Sequence, residues 1–351
     1  MKQALIFLAL MIYTSSESIA QNVNLEFDFK NVHAALELIS NGKLNILSDK
    51  QFLELPGTKG MLDHDSKFNN KMSKDQYLAE LKTANFKPDA FGINDIRKNI
   101  NSIKRLVNQI SSRSDYIKKL IESQISNYLP NTQLPKTTVY FVLGGNSDGY
   151  TDGNSFYIEL QYFNGLEGLA LLISHEIYHI YQQKLNPFFL KLLNMPTASQ
   201  INYVIPINTY MEGVASYIAN PLLINNPDKY VEFNQRKYKR NFKRIKESFL
   251  LFESLINYSK EVDSSQLNSI YNIGFSGNWD SPLYFVGFEI CAQIEKEYGE
   301  YSIREYINKV PTQLFIDYIN LYRRKEKNIP LRFSLKTEEL IQELHKNLIM
   351  E

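Results

Sequence analysis

Cysteine is almost absent from this chain: Cys291 is the single one in 351 residues. One thiol cannot close an internal disulfide, so stability must come from packing, to which the 23 tyrosines and 21 phenylalanines contribute. Cys291 itself falls inside the apolar pattern Phe285, Phe288, Cys291, Ala292 and has no activating neighbours in sequence, so it reads as a buried, inert thiol. An excess of charge of one sign is also missing. The 39 Lys plus Arg nearly cancel the 38 Asp plus Glu, which argues against nucleic acid or another polyanion as partner. No segment after residue 20 is apolar enough for stable membrane insertion. Repeats and low-complexity tracts are lacking. Histidine is scarce, with five in the chain: His33, His64, His175, His179 and His345.

The N-terminus carries a secretory pattern. Lys2 supplies a positive start, Ala4 to Ile12 is apolar, and Ser18-Ile19-Ala20 ends in small residues at −3 and −1. Cleavage after Ala20 is expected, with a secreted or periplasmic product and no lipoprotein cysteine following the cut. The next stretch, to about Pro135, reads mainly helical. Val32, Ala35, Leu36 and Ile39 share a face, Ser73 can cap a helix running through Leu81, and helical spacing extends from Ile93 to Asn127. Thr137–Leu143 and Ser155–Leu160 read as strands, separated by turn residues from Gly144 to Gly149. Asp148, Asp152, Gly153 and Glu159 match places 1, 5, 6 and 12 of a calcium loop. Tyr150 at place 3 and the strand-like flanks favour a plain glycine-rich loop instead.

Two of the five histidines occur as His175-Glu176-Ile177-Tyr178-His179, inside an apolar run that Asn164 can cap. On a helix, side chains four apart share a face, so His175 and His179 can grip one metal ion, with Glu176 beside them to act on a water. Leu169, Ile173, Ile177 and Ile180 form a separate core stripe. A catalytic zinc usually takes three protein ligands and leaves the fourth position to water. Glu212, in a second helical pattern with Ile207, Met211, Val214 and Ile218, is the candidate third ligand, although on spacing alone an ordinary solvated glutamate is the better reading. Gly213 and Ala215 are small enough for this helix to approach the first closely.

HEIYH followed by Glu212-Gly213-x-Ala215-x-Tyr217 resembles the gluzincin-type metallopeptidases of the thermolysin-like clan, in particular their secreted bacterial branch. Tyr284-Phe285-Val286-Gly287, running on to Tyr298-Gly299, is similar to the Y-x-x-G helix that closes such domains. The resemblance covers about Thr137 to Gly299. It implies Zn²⁺ held by His175, His179 and Glu212, with Glu176 as general base. It also implies Tyr284 as donor to the developing oxyanion, and a strand before the HEIYH helix that pairs with extended peptide. One departure stands out: the family's best-known members carry a supporting aspartate where this chain has Ser216, so the histidines need another support.

The expected fold is α+β and predominantly helical, with a small sheet beside a zincin-like HExxH helix. The expected units are a helical region at 21–135, a metallopeptidase core at 136–300 and a helical cap at 301–351. The expected function is a secreted zinc-dependent peptidase acting on peptide or protein substrates. Two other readings stay open: a non-catalytic secreted binding protein on a peptidase-like scaffold, and a metal-dependent hydrolase of non-peptide amides or esters. A long helix is expected from Pro227 to Ser259, with Tyr238, Phe242, Ile245, Phe249, Phe252 and Ile256 as core stripe. Arg236, Lys237, Lys239, Arg240, Lys243, Arg244 and Lys246 form its solvated face. Helices are also expected over Ile303–Tyr322 and Thr337–Leu348. Nothing in the sequence sets an oligomeric state.

Overall fold

The computed structural model describes residues 23–67, 72–195, 197–259, 265–324 and 329–350. The segment read as a secretory signal, residues 1–20, lies outside them. The chain is predominantly helical around one four-stranded sheet, an α+β architecture. Strands β1 (Leu25–Asp28), β2 (Thr137–Val142), β3 (Gly149–Asp152) and β4 (Ser155–Glu159) lie in the order β1-β2-β4-β3. β1 and β4 pair parallel with β2, and β3 pairs antiparallel with β4. Two of these strands escape the sequence reading. β1 sits in the region read as helical, and β3 begins at the end of the turn residues and runs into the stretch read as a glycine-rich loop. Each has only 4 residues, too short for an alternation to stand out, and each is held by its neighbour's ladder.

Five helices build the site. They are α1 (Leu166–Leu185), α2 (Thr197–Ile218), α3 (Lys229–Lys243), α4 (Ile245–Tyr258) and α5 (Pro282–Tyr298). β4 runs through one 3-10 turn, Leu160–Tyr162, directly into α1, which carries HEIYH. The expected cap, Asn164, is not the capping residue. Gly165 holds that place and makes no side-chain cap bond. The orphan N–H of Gly168 is instead met from outside by Asp228 Oδ2 at 2.8 Å, while Asp228 Oδ1 caps α3 through the Val231 N–H at 3.0 Å. A Cβ on Gly165 or Gly168 would fall within 3 Å of the Asp228 carboxylate, so both glycines make room for it.

The helix expected over Pro227–Ser259 is two helices, broken at Arg244 (φ −111°, ψ 20°). The break is anchored by Asp280, which takes ion pairs from Arg240 at 3.0 Å and Arg244 at 2.8 Å and whose carbonyl accepts from Asn241 Nδ2. Periodicity survives such a break because the apolar stripe continues across it: Tyr238, Phe249, Phe252 and Ile256 are all buried. Similarly, Ile93–Asn127 divides into Ile93–Lys98, Ile100–Ser112 and Ser114–Ile125, parted at Asn99 and Arg113. Ile303–Tyr322 divides into a 3-10 helix, Ser302–Asn308, and a helix, Gln313–Arg324, with Pro311 between them. Ser73 does cap Lys74–Lys82, accepting from the Gln76 N–H at 3.2 Å. One apolar cluster contains buried side chains from Val23 to Leu348, with Cys291 buried within it. No helix among the described residues is long and apolar enough to cross a membrane.

Candidate metal centre and cleft

α1 and α2 bring three donor atoms together. His175 Nε2 lies 3.3 Å from Glu212 Oε2, His179 Nε2 lies 3.2 Å from the same oxygen, and the two Nε2 atoms are 3.1 Å apart. Ligands about 2.0–2.1 Å from a tetrahedral zinc stand about 3.3–3.4 Å from one another, so this triangle has the size of one zinc face. Two imidazoles and a carboxylate are also the donor types zinc prefers. No other group of three histidine, cysteine, aspartate or glutamate side chains among the described residues converges in this way. The calcium-loop positions do not converge: Glu159 is fully buried, accepting from the Ser147 N–H and Gln161 Nε2, while Asp148 accepts from Tyr230.

Burial opposes charge on all three donors, and their mutual contacts decide the outcome. Burial and the charge of His179 depress His175, although Glu212 pulls the other way. Burial would also depress His179, but the adjoining Glu212 carboxylate outweighs it and pushes the imidazole up to about 9. Glu212, despite burial, is held well below the usual carboxylate range by His179 and His175. Without a metal, the pair therefore carries one proton between imidazole and carboxylate, which a divalent cation would displace.

The support that Ser216 could not supply comes from α1 itself. Gln182, fully buried, places Oε1 2.9 Å from His179 Nδ1, while its Nε2 reaches the Met211 carbonyl at 3.4 Å. The Met211 contact fixes the amide so that its oxygen faces His179. Nδ1–H is then the donor, and in the neutral ring Nε2 keeps the bare lone pair a metal needs. Gln182 stands three residues after His179, on the same face of α1, a spacing visible in the sequence.

Gly213, expected to let α2 approach α1, instead meets Gly287 of α5. A Cβ on Gly213 would lie 2.3 Å from Gly287 Cα, and one on Gly287 would lie 2.2 Å from the Thr209 carbonyl oxygen. Glu212-Gly213 and Tyr284-x-x-Gly287 are thus the two sides of one backbone-to-backbone crossing. Tyr217 adds a bond across it, donating to Glu295 Oε2 at 2.8 Å. The crossing carries Tyr284 to the site, where its ring stacks near-parallel on His175 at 6.2 Å between centroids. Burial first, then the Glu212 charge, pushes the Tyr284 phenol well up, so it is a hydroxyl donor at neutral pH.

A cleft of about 350 Å³ opens beside the triangle, lined among others by Asp148, His175, Glu176, Tyr230, Lys237 and Tyr284. Burial pushes Glu176 up to about 8. From α3, Tyr230, Phe233, Asn234 and Lys237 enter the lining at i, i+3, i+4 and i+7. That stripe is legible in the sequence but is masked by the stronger core stripe beside it. The strand before the HEIYH helix, β4, has partners on both sides and cannot add a further strand, contrary to the expectation. The edge strands are β1 and β3, and Asp148, immediately before β3, lines the cleft.

The fold thus brings together, from α1 and α2 and at the wall of a cleft, three side chains that could hold one metal ion. The chain matches, over residues 50–327, a family described as "Putative zinc dependent peptidase (DUF5700)", and it belongs to that family. No curated protein and no solved structure matches it.

Proposed function

We propose that the protein is a secreted, gluzincin-like zinc metallopeptidase, with His175, His179 and Glu212 as metal ligands. The observation that carries this reading is the donor triangle of 3.1–3.3 Å edges opening on a cleft that Glu176 lines. When bound, zinc supplies Lewis acidity, which polarises a carbonyl and eases deprotonation of water. Glu176, whose ionised form the positive charge of a bound zinc would favour against its burial, takes the proton of the attacking water and returns it to the leaving amine. Tyr284 donates its hydroxyl hydrogen to the carbonyl oxygen as negative charge develops there. Gln182 keeps His179 in its metal-binding tautomer. The open edge of β3 offers backbone groups to an extended peptide, and the half-exposed Phe233 adds an apolar contact for side chains. Secretion rests on the N-terminal pattern alone.

The test is metal content together with cleavage of a mixed peptide library. Glu176→Gln should keep stoichiometric zinc and lose about 10²–10⁴-fold in kcat, the usual worth of a general base. Unchanged turnover in that variant would remove Glu176 from the mechanism. Glu212→Ala should lose zinc; full retention would remove Glu212 from the ligand set. Cleavage of esters or non-peptide amides in preference to peptides would favour the non-peptide hydrolase.

A further inference from the structure

Among the basic residues of α3 and the start of α4, Lys237 stands apart. Arg236, Lys239, Arg240, Lys243, Arg244 and Lys246 are exposed, whereas Lys237 is half-buried and lines the cleft. Its Nζ donates to Ser281 Oγ at 3.1 Å and lies 5.5 Å from the centroid of the Tyr284 ring. No carboxylate among the described residues comes within ion-pair distance of it, although Asp280, Asp148 and Glu212 are near enough to act on its charge. Each of those acids has another partner. Asp280 is gripped by Arg240 and Arg244, Asp148 accepts from Tyr230 at 2.7 Å, and Glu212 faces the two histidines. Burial depresses the Lys237 ammonium, and that desolvation is uncompensated by an ion pair inside the protein.

The turn that holds Lys237 is strained. Asp280 and Ser281, neither of them glycine, both take positive φ, 64° and 51°. Such conformations are costly for residues with a side chain and persist where the surroundings over-determine them. Here the surroundings are α3: Asp280 binds its arginines and Ser281 binds Lys237. The strained turn therefore sets an ammonium group at a fixed place in the cleft wall. Its position relative to the chemistry is bounded. His175 and Lys237 Nζ lie 6.2 and 5.5 Å from the same Tyr284 ring centroid, so they are at most about 12 Å apart, the reach of about three extended residues.

We propose that Lys237 receives a carboxylate of the substrate, within about three residues of the bond to be cut. A cation that is desolvated, unpaired and fixed in a substrate cleft is complementary to an anion, and the bound anion would supply the charge partner the protein withholds. Peptides carry that chemistry in two forms: a free C-terminus and an acidic side chain. The proposal rests on the cleft being the substrate site of a peptidase.

Two matched peptide pairs test it on the zinc-loaded protein. The first is an acetylated alanyl peptide ending in phenylalanine, with a free or an amidated C-terminus. The second is amidated throughout and carries one glutamate or one glutamine. Cleavage is read as kcat/KM. Binding of the same peptides is read by calorimetry on Glu176→Gln, which does not depend on turnover. The wild-type sequence should favour the charged member of at least one pair by tenfold or more, and the pair that responds identifies the source of the carboxylate. Lys237→Met should abolish the preference and Lys237→Arg should keep it. Equal treatment of both members in both pairs, or a preference that survives Lys237→Met, overturns the proposal. If no peptide is cleaved, the peptidase reading fails, while the binding comparison still decides Lys237. If Lys237→Met does not fold, the wild-type pairs and Lys237→Arg decide it.

Discussion

His179 is supported by a neutral amide, and this sets the chemistry of the centre. Gln182 accepts from Nδ1 without adding negative charge, so among the described residues the one carboxylate within hydrogen-bond distance of the imidazole is Glu212, the proposed third ligand. Removing the amide should leave Nδ1–H without its partner and release the ring from its tautomer. Gln182→Leu is expected to weaken zinc binding about 10–100-fold, measured by competition with a chelating dye. A second expectation concerns protons. With His179 pushed up to about 9, the metal-free imidazole is charged at pH 7, and zinc needs it neutral. Zinc binding should then release a proton near neutrality, and apparent affinity should rise with pH up to about 9. Calorimetry in two buffers of different ionisation enthalpy checks the first; dye competition at pH 6 and pH 8 checks the second.

At the scale of elements, the site is a problem of helix approach. Glu212 faces α1 while the adjacent Gly213 lets the next side of α2 lie flush against α5, where Gly213 and Gly287 meet with no side chain between them. The atoms a new Cβ would strike there are backbone, which cannot swing aside. Gly287→Ala should therefore destabilise the fold by about 1–3 kcal/mol, the usual cost of overpacking. It should also loosen zinc by shifting α2, whereas Gly277→Ala, where a Cβ meets nothing within 4 Å, should do neither. Urea unfolding and zinc titration of both variants check this. The motif E-G-x-A-x-Y thus spells out a ligand and a packing surface in one stretch, with Glu212 turned to one helix and Gly213 and Tyr217 to another.

For the whole molecule, the cost of buried acids sets the pH response. Glu159 is fully buried on β4, and burial, with Asp65 nearby, pushes it up to about 9 from an ordinary value of 4.5. Burial likewise pushes Asp65 up to about 6. Across the window from about 4.5 to about 9 the folded protein keeps the Glu159 proton and the unfolded chain loses it. The unfolded state then binds fewer protons, and stability falls as pH rises, by about 3 kcal/mol at pH 7 relative to acid. Glu159→Gln mimics the protonated acid and keeps an oxygen for the Ser147 N–H and Gln161. It should flatten that slope between pH 5 and pH 8, as measured by urea unfolding at several pH values.

Sequence alone determined the local facts. His175, Glu176 and His179 had to share one helix turn because their spacing leaves no alternative once the apolar run is helical, and Glu212 could be singled out because a family pattern surrounds it. The helical character of the chain and the strands β2 and β4 were legible for the same reason: periodicity reports which face of an element is buried. Tertiary structure alone decided what meets that face. Periodicity does not say whether Gly213 packs on α1 or α5. Nor does it show that an aspartate 60 residues away caps the HEIYH helix, or that one lysine of a basic run turns inward. Short strands such as β1 and β3 owe their form to partners distant in sequence or to a turn. Those outcomes depend on long-range contacts, and only the assembled chain specifies them.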